Sequence, residues 1–178
     1  MKTRILMSMI AVLMLFAFAA GKVPSALKGK RFDGEIVFSH NNEEKKYGFK
    51  IECRGGAFDF LPGRKSTHYR IIIDNKKYYG GLTIQESQKN IDDKLTNLYL
   101  FTCYTVKEKY NKKAFKKLED KDRWFYFYIA KDSLKVKKHK YELKAGEPNN
   151  SINEIFVYDE NKDTLDESEL VSLSFTKK

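Results

Sequence analysis

The sequence predicts an all-β protein, a single antiparallel domain of about eight to ten strands closed or nearly closed into a barrel. A two-sheet β-sandwich is the competing architecture. Three observations carry this. Apolar residues recur with period two through most of the chain. Aromatic residues make up 14% of it, a composition that suits strands better than helices. Two segments, 97–106 (NLYLFTCYTV) and 124–130 (WFYFYIA), are apolar on both parities. Such strands belong at the centre of a sheet covered on both faces or in a barrel with an apolar interior. At 178 residues the chain has room for one domain. Its 42% hydrophobic content and three prolines exclude disordered and collagen-like classes.

The first 19 residues read as an address. Lys2 and Arg4 form a positive start, Ile5 to Phe16 are apolar apart from Ser8, and Ala17-Phe18-Ala19 offers small residues at the exit. That is the layout of a secretory signal peptide, so the expected location is secreted or periplasmic. The competing reading is an uncleaved anchor. No cysteine follows to carry lipid, and no later stretch is apolar and long enough to span a bilayer as a helix. After cleavage the chain is not expected to be an integral membrane protein.

Residues 20–34 form a polar lead-in and turn, and 35–178 the β-rich domain. Tyr47, Phe49, Ile51 and Cys53 share one parity, which predicts a half-buried strand. Gly55-Gly56 then turns the chain into Phe58 and Phe60, giving a hairpin over 46–61. Tyr69, Ile71 and Ile73 alternate with His68, Arg70 and Ile72 up to Asp74-Asn75, a tight-turn signal, and Tyr78 to Gln85 resumes an apolar pattern. Gly80-Gly81 marks a bend or a close backbone approach. Residues 107–121 (KEKYNKKAFKKLEDK) place Tyr110, Ala114 and Leu118 at i, i+4, i+8, which predicts one short basic helix between the two most apolar strands. The next hairpin is expected to run through 134–143 with a bulge near Lys138. Ile152–Tyr158 and Leu170–Phe175 supply the last two strands. The pattern would suit a calycin-like barrel. The G-x-W start of lipocalins is missing, Gly29-Lys30-Arg31-Phe32 standing in that region, and architecture alone does not give function.

Chemistry-bearing motifs are sparse. Cys53 and Cys103 are the two cysteines. In an exported chain an even count points to a disulfide, which would close a loop worth about 4 kcal/mol; the plain alternative is two buried thiols. His40, His68 and His139 form no H-x-H or H-E-x-x-H pair, so no metal site is expected. Nucleotide-binding glycine loops and the G-x-S-x-G elbow are absent, so neither a cofactor nor a catalytic residue is assigned. Asp159, Asn161, Asp163 and Glu169 resemble the start of a calcium loop, but Thr164 stands where the turn glycine is needed.

Two features point to binding. Lys+Arg outnumber Asp+Glu by 34 to 24, for a net charge of +10. Lysines crowd the predicted helix, with Lys112, Lys113, Lys116 and Lys117, and the hairpin after it, with Lys137 and Lys138. These make a candidate anion-binding surface, against the plain reading of a solvated face. Lysine without arginine, in an exported chain with no nucleic-acid module, argues against nucleic acid as partner. The aromatic run 124–128 is the second feature, because alternate rings must face opposite ways. Phe101, Tyr104, Trp124, Tyr126 and Tyr128 are therefore candidate ligand-lining residues. The first expectation is a secreted, non-catalytic protein holding a small apolar or amphipathic ligand in the barrel. The alternative is a surface module binding an acidic protein, glycan or lipid headgroup. An extracellular hydrolase stands third, with no acid pair in view.

Overall fold

The computed structural model describes residues 23–54, 67–107, 123–146, 152–157 and 169–178. The strands in chain order are β1 (Arg31–His40), β2 (Glu43–Glu52), β3 (His68–Ile73), β4 (Lys76–Ile91), β5 (Lys94–Lys107), β6 (Arg123–Ala130), β7 (Lys140–Ala145), β8 (Glu154–Val157) and β9 (Glu169–Lys177). They form a closed barrel in the order β1-β2-β3-β4-β5-β6-β8-β7-β9, and β9 pairs back with β1. The predicted all-β barrel is therefore the fold, and the sandwich is not. Closure leaves each strand with a neighbour on both sides, which removes the exposed edges of an open sheet.

Three of the connections have the same cause. Asn41-Asn42, Asp74-Asn75 and Asp92-Asp93 all have positive φ, between 47° and 63°. The flanking pairs His40↔Glu43, Ile73↔Lys76 and Ile91↔Lys94 leave two residues in each loop. Left-handed backbone at both loop positions matches the twist of antiparallel strands, and Asn and Asp tolerate it better than other side chains. These turns make β1·β2, β3·β4 and β4·β5 hairpins.

The route from β6 to β7 corrects the predicted hairpin over 134–143. β6 pairs with β8, and β8 then pairs in parallel with β7, the one parallel step in an otherwise antiparallel wall. β6 and β7 are thus two strand positions apart, about 10 Å at the usual spacing, which a tight turn cannot cross. The sequence fills that distance with a 3-10 turn at Asp132–Lys135 and a left-handed residue at Lys138. Leu134 and Val136, read as strand residues, lie in this connection instead.

The lead-in also belongs to the barrel. β1 starts at Arg31, inside the stretch read as 20–34. Ahead of it, a 3-10 turn at Ser25–Leu27 places Leu27, fully buried, among the core residues. The Gly29 amide donates to the Cys53 carbonyl, and the Cys53 amide to that of Lys30. The signal peptide at 1–19, the second arm of the 46–61 hairpin beyond Arg54, the basic helix and the calcium-like acids before Glu169 lie outside the described residues.

One parity of each strand faces inward. Phe32, Ile36 and Phe38 from β1 meet Phe49 and Ile51 from β2, Tyr69 and Ile71 from β3, and matching residues around the wall. Gly34 faces Phe175 across the β1·β9 pair, where a Cβ would lie 1.8 Å from the Ser174 carbonyl oxygen. Only glycine allows β9 to approach β1 this closely. Phe175 then sits at the centre of four rings, with centroids at 5.6 Å from Phe32, 6.3 Å from Phe49, 5.5 Å from Phe127 and 4.9 Å from Tyr141.

Candidate functional site

The five candidate ligand-lining residues divide between the two sides of the wall. Phe101 points inward and is fully buried, stacked on Phe127 at 4.8 Å and edge-on to Phe32 at 6.4 Å. Trp124 also points inward, for a reason the alternation alone does not show. Cys103 pairs with Phe125 and Tyr104 with Arg123, so β6 carries one extra residue there. That bulge turns both Trp124 and Phe125 into the core. Trp124 stacks on Phe38 at 5.6 Å.

Tyr104, Tyr126 and Tyr128 lie on the outer side and are half-buried. Tyr126 stacks on Phe156 at 4.8 Å, and Tyr128 meets the same ring edge-on at 6.0 Å. Lys89 Nζ lies over the rings of Tyr128 and Phe156, 4.5 and 5.0 Å from their centroids. Burial raises the Tyr128 phenol pKa. This outer aromatic group explains the second apolar parity of 124–130. The five residues do not line one shared surface.

Tyr69 links the interior to a strand irregularity. Its ring occupies the space beside Gly80, where a Cβ would come within 2.1 Å of it. Its hydroxyl donates to the Tyr104 carbonyl at 2.5 Å. β5 carries an extra residue at this point, since Gly80 pairs with Val106 and Leu82 with Cys103. The bulge displaces a carbonyl from the ladder, and the buried phenol satisfies it. Burial, with Cys103 nearby, pushes that phenol's pKa well up. The glycine pair read as a close approach is therefore the seat of Tyr69.

Cys53 and Cys103 are free thiols, both buried, so the disulfide expectation is corrected. Glu52 pairs with His68, His68 with Gly81, and Leu82 with Cys103, which puts the cysteines' strands three positions apart around the wall. Three spacings of about 4.8 Å carry them well beyond bridging reach. Burial pushes the Cys53 thiol up to about 12 and the Cys103 thiol well up also. Burial thus disfavours the thiolate, the reactive form, at both positions.

Charged groups lie on the outer surface and around the loops. Burial works to raise the Glu52 pKa, but Arg54, hydrogen-bonded to it at 2.6 Å, lowers it, aided by His68 and Arg70. The net result holds this carboxyl below its ordinary value. Within the lysine-rich stretch after β6, Lys131 pairs with Glu86 at 2.7 Å and Lys135 with Asp132 at 2.7 Å, and Lys140 pairs with Glu142. Lys137 and Lys138 are exposed and make no ion pair among the described residues. Lys112, Lys113, Lys116 and Lys117 lie outside those residues.

Sequence reasoning missed two neighbours of this stretch. Leu95, beside the β4·β5 turn, is 64% exposed, and Val136, between Lys135 and Lys137, is 51% exposed. The alternation reads Val136 as a strand residue, but it lies in the β6–β7 connection; Leu95 is the second residue of β5, next to the Asp92-Asp93 turn. Among the described residues, no group of three or more His, Cys, Asp or Glu side chains is arranged to hold a metal ion. No helix there is long and apolar enough to cross a membrane. No protein-family model, curated protein or solved structure matches the chain.

Proposed function

We propose that this chain is an exported, non-catalytic interaction module that binds an acidic partner through its lysine-rich outer surface. The observation that carries the reading is the contrast between the barrel's two sides. Inside, rings from β1, β2, β5, β6 and β9 meet one another, with Phe32–Phe101, Phe49–Phe175 and Phe127–Phe175 contacts among them. These ring-to-ring contacts among the described residues support a partner on the outside rather than within. Outside, Lys137 and Lys138 present charge that no neighbouring acid among the described residues takes up, on a chain with net charge +10. Lysines on flexible stems supply attraction without a fixed hydrogen-bonding geometry, which suits an extended acidic surface.

The test is retention of the full chain on a sulfated polysaccharide resin as salt rises. Retention is expected to fall steeply with ionic strength. The pair Lys137→Gln and Lys138→Asn is expected to elute earlier than the parent chain; Asn suits the left-handed backbone at 138. Retention unaffected by both salt and the paired substitution would remove the reading.

A further inference from the structure

The partner's chemistry follows from where the free lysines stand. Lys137 and Lys138 belong to the β6–β7 connection, and three other segments gather at the same end of the barrel. The Lys131 amide donates to the Asn97 carbonyl at 3.0 Å, so the β4·β5 tip lies alongside; Asp132, whose pKa is lowered chiefly by its hydrogen bond and ion pair with Lys135, also feels the charge of Lys94. Lys177 Nζ donates to the Leu134 carbonyl, which brings in the C-terminal strand. The Lys178 amide donates to the Arg31 carbonyl at 2.8 Å, which brings in the lead-in with Lys28 and Lys30. One end of the barrel therefore gathers basic residues from four stretches of chain. Its acids are in part already engaged: Asp132 with Lys135, and Asp33 with Lys50 and Lys178. Asp92 and Asp93 stay exposed at the turn beside Lys94.

The same end carries the two exposed aliphatic tips. Leu95 follows Lys94, and Val136 stands between lysines. Two single aliphatic side chains, Leu95 at the start of β5 beside Lys94 and Val136 in the β6–β7 connection between Lys135 and Lys137, do not form the contiguous apolar patch of a protein interface. They fit a bilayer surface, where the aliphatic tips enter the headgroup layer and the ammonium groups meet lipid phosphates and carboxylates.

We propose that this end of the barrel docks on an anionic lipid surface, Leu95 and Val136 entering the interface and Lys94, Lys137 and Lys138 pairing with headgroups. The proposal rests on the acidic-partner reading and narrows it to a membrane. It is tested by co-sedimentation of the full chain with phosphatidylcholine vesicles, with and without phosphatidylserine. Neutral vesicles control for the apolar run at residues 5–19. Binding is expected to be at least about tenfold stronger to the anionic vesicles and to weaken with salt. Leu95→Ser with Val136→Ser is expected to reduce vesicle binding about tenfold while leaving retention on the polysaccharide resin unchanged. All four substituted positions are exposed, and unchanged thermal melting verifies folding. Equal binding to neutral and anionic vesicles overturns the membrane proposal. So does vesicle binding indifferent to the aliphatic substitutions, and in that case retention on the resin leaves the broader reading standing. Loss of retention on the resin itself ends both.

Discussion

Tyr69 shows how one side chain can hold an irregular strand in place. Its ring needs a glycine at 80 to lie against, and its hydroxyl satisfies the carbonyl that the β5 bulge displaces. Tyr69→Phe keeps the ring and removes the donor, leaving a buried acceptor without it. The expected cost is about 1–3 kcal/mol, read from denaturant midpoints at constant slope. A midpoint equal to the parent's would show that the carbonyl finds another donor. The Cys53 thiol makes a second residue-level prediction. Its pKa is raised from 9.0 to about 12 in the folded chain. Below pH 9 both folded and unfolded forms are protonated, and the thiol has no effect on pH dependence. Above it the unfolded thiol loses its proton and the folded one keeps it, so stability falls as pH rises from 9 towards 12. Cys53→Ala is expected to flatten the alkaline limb of a stability-versus-pH curve. An unchanged slope in that range would contradict the burial assigned to this thiol.

At the scale of elements, the two-residue turns set the hairpin registers. Replacing Asn42 by Gly creates Asn-Gly, the pair best suited to two left-handed residues. It is expected to stabilise the chain by up to about 1 kcal/mol, and Asn42→Val to destabilise it by about 1–2 kcal/mol. A reversed order in thermal melts would mean that the β1·β2 register is fixed elsewhere. Turns of this kind also mark the limit of what the sequence reveals. Asp74-Asn75 was legible because clear alternation flanks it on both sides. Asn41-Asn42 and Asp92-Asp93 were not, since charged residues around them blur the period. The inward faces of β2 and β3 were fully legible, as was the two-sided character of β5 and β6. Bulges were another matter. Trp124 faces inward because β6 carries one extra residue against β5, and alternation within a single strand says nothing of its partner's count. The insertion of β8 between β6 and β7 escaped for the same reason, because strand order depends on pairing over long sequence distances. The candidate site suffered most. Lysines and two exposed aliphatic side chains gather at one end only because pairing brings four separate segments there.

Across the whole molecule, the barrel divides its labour by side. The inward parity spends its aromatic residues on one another, with Phe175 touching four rings from β1, β2, β6 and β7. The outward surface holds the chain's excess positive charge. Trp124, the single tryptophan, lies inside against Phe38 and Tyr69 and so reports on the interior alone. The most direct measurement is therefore one titration with a soluble sulfated polysaccharide, followed at once by binding and by Trp124 emission, and repeated at several salt concentrations. The account predicts binding that weakens steeply with salt while Trp124 emission stays constant. Salt-independent binding of any ligand together with a saturable shift in Trp124 emission would contradict it, and would place the partner inside the barrel.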